Sequence, residues 1–293
     1  MNTNEYERIA ARVRDTLVEA GSTFRQDKKD AYCRAIRAEE NEQAKWVMRT
    51  ILENAEAAEK NHSPLCDDTG IPHLLLEVGP DMAVSGRMLA AIRQGVAEGL
   101  RALPGRPMGI MGDDSQRIDQ SGGLDQDSAG VAPAPILLRP TEDNVVRLHV
   151  LMFGGGPAIR GKTYRVFHKH STQVVVDEIV NWSREAVSQL GCSPCTLAVG
   201  IGRSHFEAAA MMLQAQADGR YDRQSPMEQE ITRRVNEADI GPLGIHGKTS
   251  VIATFVKVGP QRASGVRVVC LRPGCCFEPR IATAILAGGT SDE

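Results

Sequence analysis

Apolar residues recur every fourth position near the start of the chain. In ERIAARVRDTLVEAG, Ile9, Val13 and Leu17 fall on one stripe with charged residues between them, and Gly21 follows as a stop. That spacing predicts an amphipathic helix. QAKWVMRTILENAEAAEKN repeats it with Val47, Ile51 and Ala55, flanked by Met48 and Leu52, so residues 1–62 read as helical. The pattern then changes. HLLLEVG reads as a short buried strand, GRMLAAIRQGVAEGLRAL as a helix, and NVVRLHVLMF as a second strand. Between these, residues 104–143 are dense in Gly, Pro, Asp and Ser and predict a long irregular loop.

Beyond the second strand, TQVVVDEIVNWSREAVSQLG predicts a helix with Val176, Ile179, Val180 and Val187 on one face, ended by Gly191 in a left-handed turn. TLAVGIG reads as a strand. SHFEAAAMMLQAQADG opens on Ser204 and Glu207, spaced as a capping box, and ends at Gly219. PMEQEITRRVNEADIGP places Met227, Ile231 and Val235 inward before a Gly241-Pro242 stop. TSVIATFVKVG and GVRVVCLRP look like a strand pair, and RIATAILAGG is short and apolar. The sum is an α+β chain, with an N-terminal helical region packed on a mixed α/β lobe of several short strands. No internal repeat or clear linker divides it, so residues 1–293 read as a single domain, helical over 1–62 and mixed α/β over 63–293.

Composition narrows the function. Of 293 residues, 42% are hydrophobic and 24% charged, as in a globular protein. The net charge of -3, with both signs mixed, gives no basic footprint for nucleic acid. Aromatic residues at 4% leave few surfaces on which bases could stack. No apolar run approaches the roughly 18 residues of a membrane span. The first residues resemble neither a secretory signal nor a transit peptide, so a cytoplasmic location is expected.

Chemistry concentrates on cysteine. Seven are present, at 33, 66, 192, 195, 270, 275 and 276. An odd count in a reducing compartment argues against a disulfide framework. Cys66, Cys192 and Cys275 each sit at the end of a predicted element, beside Gly or Pro. A thiolate ligand needs such a setting, because the backbone must come close and offer N–H groups to sulfur. Three such thiolates could converge on an iron–sulfur cluster that leaves one iron open. Cys192-x-x-Cys195 and Cys275-Cys276 could instead form a four-thiolate zinc site, although adjacent cysteines are poor zinc spacing. Cys33 and Cys270 read as small buried hydrophobes.

The glycine segment GGGPAIRGKT, residues 154–163, bares backbone N–H groups beside Arg160 and Lys162 and suits an anion such as a carboxylate. It matches a G-x-x-x-x-G-K-S/T string, but YRVFHKHS after it alternates aromatic, β-branched and basic residues and does not predict the helix a P-loop requires. GIHGKTS reads as a tight turn.

Taken in order, PLCDDTG, FGGGPAIRGKT, CSPCTLAVGIG, IGPLGIHGKTS and PGCCFEPR resemble the α subunit of iron–sulfur hydro-lyases, the family of two-subunit class I fumarases and L(+)-tartrate dehydratase. The likeness runs from about residue 40 to residue 286. It implies that Cys66, Cys192 and Cys275 hold a 4Fe-4S cluster, with Cys195 and Cys276 as extra thiols. It also implies a separate β subunit, a heterotetramer, and reversible hydration of a small dicarboxylate of the L-tartrate to oxaloacetate or fumarate to malate type. Asp67 or Asp68 would then orient the hydroxyl or water. Arg160, Lys162 or Arg280 would bind substrate carboxylates. The sequence departs from the family at Asp67, where glutamine is usual, at Ser193 in place of a proline, and at SGGLDQDSAG in place of an asparagine-rich segment. The alternatives are a zinc-thiolate-stabilised binding or regulatory protein, and a subunit that kept the fold but lost turnover.

Overall fold

A computed structural model describes residues 3–103, 105–106 and 108–289; Pro104 and Pro107 of the long irregular segment fall outside the described residues. In chain order the elements are α1 (Thr3–Ser22), α2 (Gln26–Ala38), α3 (Glu42–Asn61), β1 (Ile71–Val78), α4 (Gly86–Ala102), α5 (Asp114–Asp119), β2 (Leu137–Pro140), β3 (Val145–Phe153), α6 (Gly155–Ala158), β4 (Lys162–Phe167), α7 (Thr172–Ser188), β5 (Cys195–Gly202), α8 (His205–Asp218), α9 (Pro226–Asn236), β6 (Val251–Val258), β7 (Val266–Pro273) and β8 (Arg280–Gly288). The class is α+β, with two mixed four-stranded sheets. Among the described residues no helix is long and apolar enough to cross a membrane.

The chain forms two compact units, each assembled from separated segments. The first takes residues 1–23, 57–153 and 280–293; the second takes 24–56 and 154–279. In the first unit the strand order is β2-β1-β3-β8, with β1 parallel to β2 and antiparallel to β3, and β3 antiparallel to β8. The helix stripe read from the sequence closes the core: Ile9, Val13 and Leu17 of α1 pack with Ile92, Val96 and Leu100 of α4 against Leu74, Leu76, Leu148 and Val150. Gly95 sets how closely the helices approach, since a Cβ there would lie 2.3 Å from the Ala10 carbonyl oxygen. The 104–143 segment is not wholly irregular. Asp113 and Gln116 close a reciprocal capping box on α5, and Leu137–Pro140 adds an edge strand to β1. Four residues with one proline carry too little alternation to announce that strand.

The second unit orders its strands β4-β7-β5-β6. The predicted pairing of TSVIATFVKVG with GVRVVCLRP does not form. β5 lies between β6 and β7, parallel to the former and antiparallel to the latter. The reason is visible in β5, all eight of whose residues are buried. A strand apolar on both faces takes the middle of a sheet. Its alternation is one of size. Leu197, Val199 and Ile201 face the cluster formed with Val176, Ile179 and Val180 of α7 and Ile231 and Val235 of α9. Gly200 and Gly202, on the opposite pleat, let the α8 backbone come down onto the sheet.

Gly200→Ala is therefore expected to lower stability by about 1–3 kcal/mol, because its Cβ would lie 2.0 Å from the Ala208 carbonyl oxygen and 2.2 Å from the Met212 nitrogen. Backbone atoms cannot swing aside as a side chain can. Gly86→Ala, with nothing within 4 Å, serves as the control in the same denaturant titration. Equal midpoints for the two variants would contradict this account of the strand–helix contact.

Gly219 caps α8 as expected, whereas Gly21 lies within α1 and α9 ends at Asn236, ahead of Gly241. Gly191 has φ +75°. The Ser204 side chain accepts from the Glu207 N–H, but Glu207 returns its carboxylate to the Arg203 N–H rather than to Ser204, so the box is half closed. A full capping box stands instead at Ser225 and Glu228, on α9.

Candidate active site

In the second unit β7 ends at Pro273, and the next five residues are held from two sides. The Gly274 N–H donates to the Thr196 carbonyl at 2.7 Å, and the Cys276 N–H donates to the Cys192 carbonyl at 2.8 Å. These two bonds lay the 274–278 segment alongside the Cys192–Thr196 approach to β5. From the other side, α2 presents Lys28 and Tyr32, four residues apart and so on one helical face. Lys28 Nζ donates to the Glu278 carbonyl at 2.8 Å, and the Tyr32 hydroxyl donates to the Cys276 carbonyl at 2.8 Å. Ser193 fixes the opposite rim by donating from its hydroxyl to the Gly241 carbonyl at 2.6 Å.

This frame brings four thiols into one neighbourhood. Cys192 is exposed, while Cys195, Cys275 and Cys276 are buried. Burial, then the charge of neighbouring Cys275, pushes the Cys192 thiol up; Arg160 pulls it the other way. Cys276 is raised by its hydrogen bond with Cys275 and then by burial. Cys195 is raised by burial and then by Cys275. Burial draws Lys28 down to about 7, against the opposing pull of Cys275, Cys276 and Glu278. Cys275 is thus the neighbour common to the shifts of the other three thiols.

Below the segment lies a buried ion pair. Glu278, at 0% side-chain exposure, accepts from Arg272 Nη2 at 3.0 Å and from the Gly154 N–H at 2.6 Å. Arg272 Nη2 also donates to the Gly154 carbonyl at 3.1 Å. The first residue of the glycine segment is thereby pinned to the residues following Cys276. Lys28, Tyr32, Arg272 and Glu278 were not picked out in the sequence. A lysine inside the polar stretch QDKKDAYCRA gives no periodic signal, and only the short step from Cys276 to Glu278 could have directed attention to that glutamate.

Cys66 belongs to the first unit, where it is half-buried in the turn between α3 and β1. The Leu65 N–H donates to the Gly21 carbonyl at 2.9 Å, anchoring the turn at the end of α1. Arg280, 1% exposed, donates from Nη1 to the Asp68 carbonyl at 2.8 Å. Gly70 has φ +90°, and a Cβ there would fall 2.6 Å from the Phe153 carbonyl oxygen and 2.7 Å from Arg280 Nη2. Only glycine allows the turn to close over that guanidinium. Asp67 is exposed and pairs with Arg106 at 3.2 Å.

Two cations of the glycine segment are engaged locally. Arg160 donates from Nε to the Gln189 carbonyl at 2.6 Å and from Nη1 to the Gly156 carbonyl at 3.0 Å. Lys162 pairs with Glu185 of α7 at 2.6 Å. The residues after Gly161 form β4, paired antiparallel with β7, so the segment is not a P-loop. In GIHGKTS the Lys248 N–H donates to the Glu39 carboxylate at 2.7 Å, which ties this turn to the end of α2. Of the two cysteines read as packing residues, Cys270 is buried with Ala208 and Val268, whereas Cys33 is exposed.

Among the described residues no group of three or more His, Cys, Asp and Glu side chains is arranged as a metal site. The donors nonetheless fit a sulfur-ligated iron centre in kind. Cys192 and Cys275 are close enough for the charge of one to act on the other, and the buried Lys28 amine lies near enough to Cys275 and Cys276 to feel theirs. Thiolates select iron–sulfur clusters and zinc over hard cations.

The fumarate hydratase (Fumerase) family model matches residues 10–284. A protein of Methanocaldococcus jannaschii named "Putative L(+)-tartrate dehydratase subunit alpha" is 24% identical over 271 residues, covering 89% of this chain and 90% of its own length. The L(+)-tartrate dehydratase subunit alpha of Escherichia coli is 25% identical over 244 residues, covering 81% of this chain and 78% of its own. The Shigella sonnei protein of that name aligns with the same figures, 25% over 244 residues. With a match that runs from α1 into β8 and takes in every segment just described, the chain belongs to the fumarate hydratase family of hydro-lyases.

Proposed function

We propose that this chain is the iron–sulfur-bearing α subunit of a two-subunit hydro-lyase acting on a small dicarboxylate, of the L-tartrate to oxaloacetate or fumarate to malate type. The observation that supports the proposal is the bond from the Cys276 N–H to the Cys192 carbonyl, which holds the residue next to Cys275 against Cys192. Cys192 and Cys275 are then ligands of a 4Fe-4S cluster, and the motif resemblance supplies Cys66 as the third. When bound, such a cluster supplies a Lewis-acidic iron that polarises the carbon–oxygen bond of a hydroxyl.

The chain's own residues take the remaining roles. Arg160 binds a substrate carboxylate, its guanidinium direction fixed by the two backbone carbonyls it already holds. Lys162 can do the same only by exchanging Glu185 for substrate. Asp67 or Asp68 orients the hydroxyl or water. Arg280 acts from beneath, holding the Asp68 carbonyl and with it the shape of the Cys66 turn. The curated relatives are named as α subunits. By analogy a separate β subunit completes this enzyme, within a heterotetramer, and contributes to proton transfer.

The test is a count on the full chain purified without oxygen and reconstituted with iron and sulfide. About four irons and four acid-labile sulfides per chain, lost in air, are expected for a cubane cluster with an open iron. Bound zinc with no sulfide would overturn the cluster and the mechanism built on it. Loaded protein mixed with its β partner would then be offered a panel of hydroxy diacids.

A further inference from the structure

The mechanism leaves the buried Lys28 unused. Lys28 is 2% exposed, yet it lies on a helix whose charged residues mostly face water. Long ammonium side chains reach solvent when they can, so full burial needs a specific partner. Lys28 has three contacts of consequence. Its Nζ donates to the Glu278 carbonyl at 2.8 Å. It lies over the Phe24 ring at 4.2 Å from the centroid. It also feels the charges of Cys275, Cys276 and Glu278. One turn along α2, Tyr32 takes the Cys276 carbonyl. The two side chains therefore grip one short backbone segment, one through a neutral hydroxyl and the other through a charge.

We infer that Lys28 is a positioning residue for the candidate cluster, the buried cation that offsets the negative charge gathered at Cys275 and so governs how tightly iron is held and at what potential. The inference rests on the proposed cluster. Its physical basis is general: the charge and hydrogen bonds around a cluster's sulfurs set its potential, and removing a partner that supports the ligands weakens metal binding. Tyr32 provides the built-in comparison, because it supports the same segment without charge.

The experiment uses the full chain reconstituted anaerobically, comparing Lys28→Gln, Lys28→Met, Lys28→Arg and Tyr32→Phe with the unaltered protein. The readouts are iron release to a chelator and the midpoint potential of the bound cluster. Lys28→Gln keeps a hydrogen-bond donor, one atom shorter in reach, but carries no charge. It is expected to release iron about ten- to a hundredfold faster and to shift the potential to more negative values. Lys28→Met should do the same, and Lys28→Arg should stay near the unaltered protein. Tyr32→Phe should leave the potential in place. Unchanged release and potential in Lys28→Gln, or an equal potential shift in Tyr32→Phe, would overturn the role of charge. Should Lys28→Met fail to fold, the glutamine variant still decides the matter. If the unaltered chain takes up no iron and sulfide, the cluster itself falls and the inference with it; that result is distinct from a loaded protein indifferent to Lys28.

Discussion

Cys275→Ser is expected to bring iron and acid-labile sulfide in the reconstituted chain down to background and, once the β partner is added, turnover of any dicarboxylate below detection. Cys275 is the thiol whose charge acts on Cys192, Cys195 and Cys276 alike. A serine hydroxyl is not a thiolate and does not ligate soft iron comparably. The surrounding backbone has reason to stay in place, because the bonds from the Gly274 and Cys276 N–H groups do not involve the side chain. Loss of iron should therefore occur in a folded protein. Cys270→Ser is the contrast. That thiol packs with Ala208 and Val268 in the apolar layer under α8, so its replacement should lower stability and leave the iron count alone. Equal iron loss from both variants would mean that fold disruption, not a missing ligand, explains the effect.

Arg272→Met is expected to destabilise the second unit by about 3–5 kcal/mol, read as a lower denaturant midpoint at unchanged slope. Arg272 and Glu278 are 7% and 0% exposed at their side chains, so water cannot replace the lost partner. Removing both charges, as in Arg272→Met with Glu278→Gln, should recover much of that loss. A buried pair is costly to break singly and often near neutral to replace whole. If the single variant is as stable as the parent, the pair does not hold the 274–278 segment, and another contact must.

The sequence disclosed different parts of this molecule for different reasons. Helices α1, α4 and α7 were legible because a four-residue apolar repeat has one sensible reading. β5 was legible as a strand, but its place between β6 and β7 was not. Alternation of large and small residues says which faces are covered and is silent on which neighbours pair. The exposure of Cys33 was missed because a lone cysteine carries no signal of burial. Cys192 and Cys275 could be singled out by their turns. The groups that hold them could not, since Lys28 is 247 positions from Cys275 in the sequence and is joined to its segment through the Glu278 carbonyl.

One consequence concerns the order in which the chain can fold as it is made. All segments of the second unit have been synthesised by residue 279, whereas the first unit lacks β8 until residue 288. Until then one edge of β3, the apolar run VVRLHVLMF, has no strand to pair with, and Arg280 is not there to support the Cys66 turn. An open apolar edge is a template for wrong pairing with other chains. The half of the protein that begins first is thus finished last. Slow or interrupted synthesis between residues 153 and 280 should raise the fraction that aggregates, with little effect on the stability of chains that do complete the sheet.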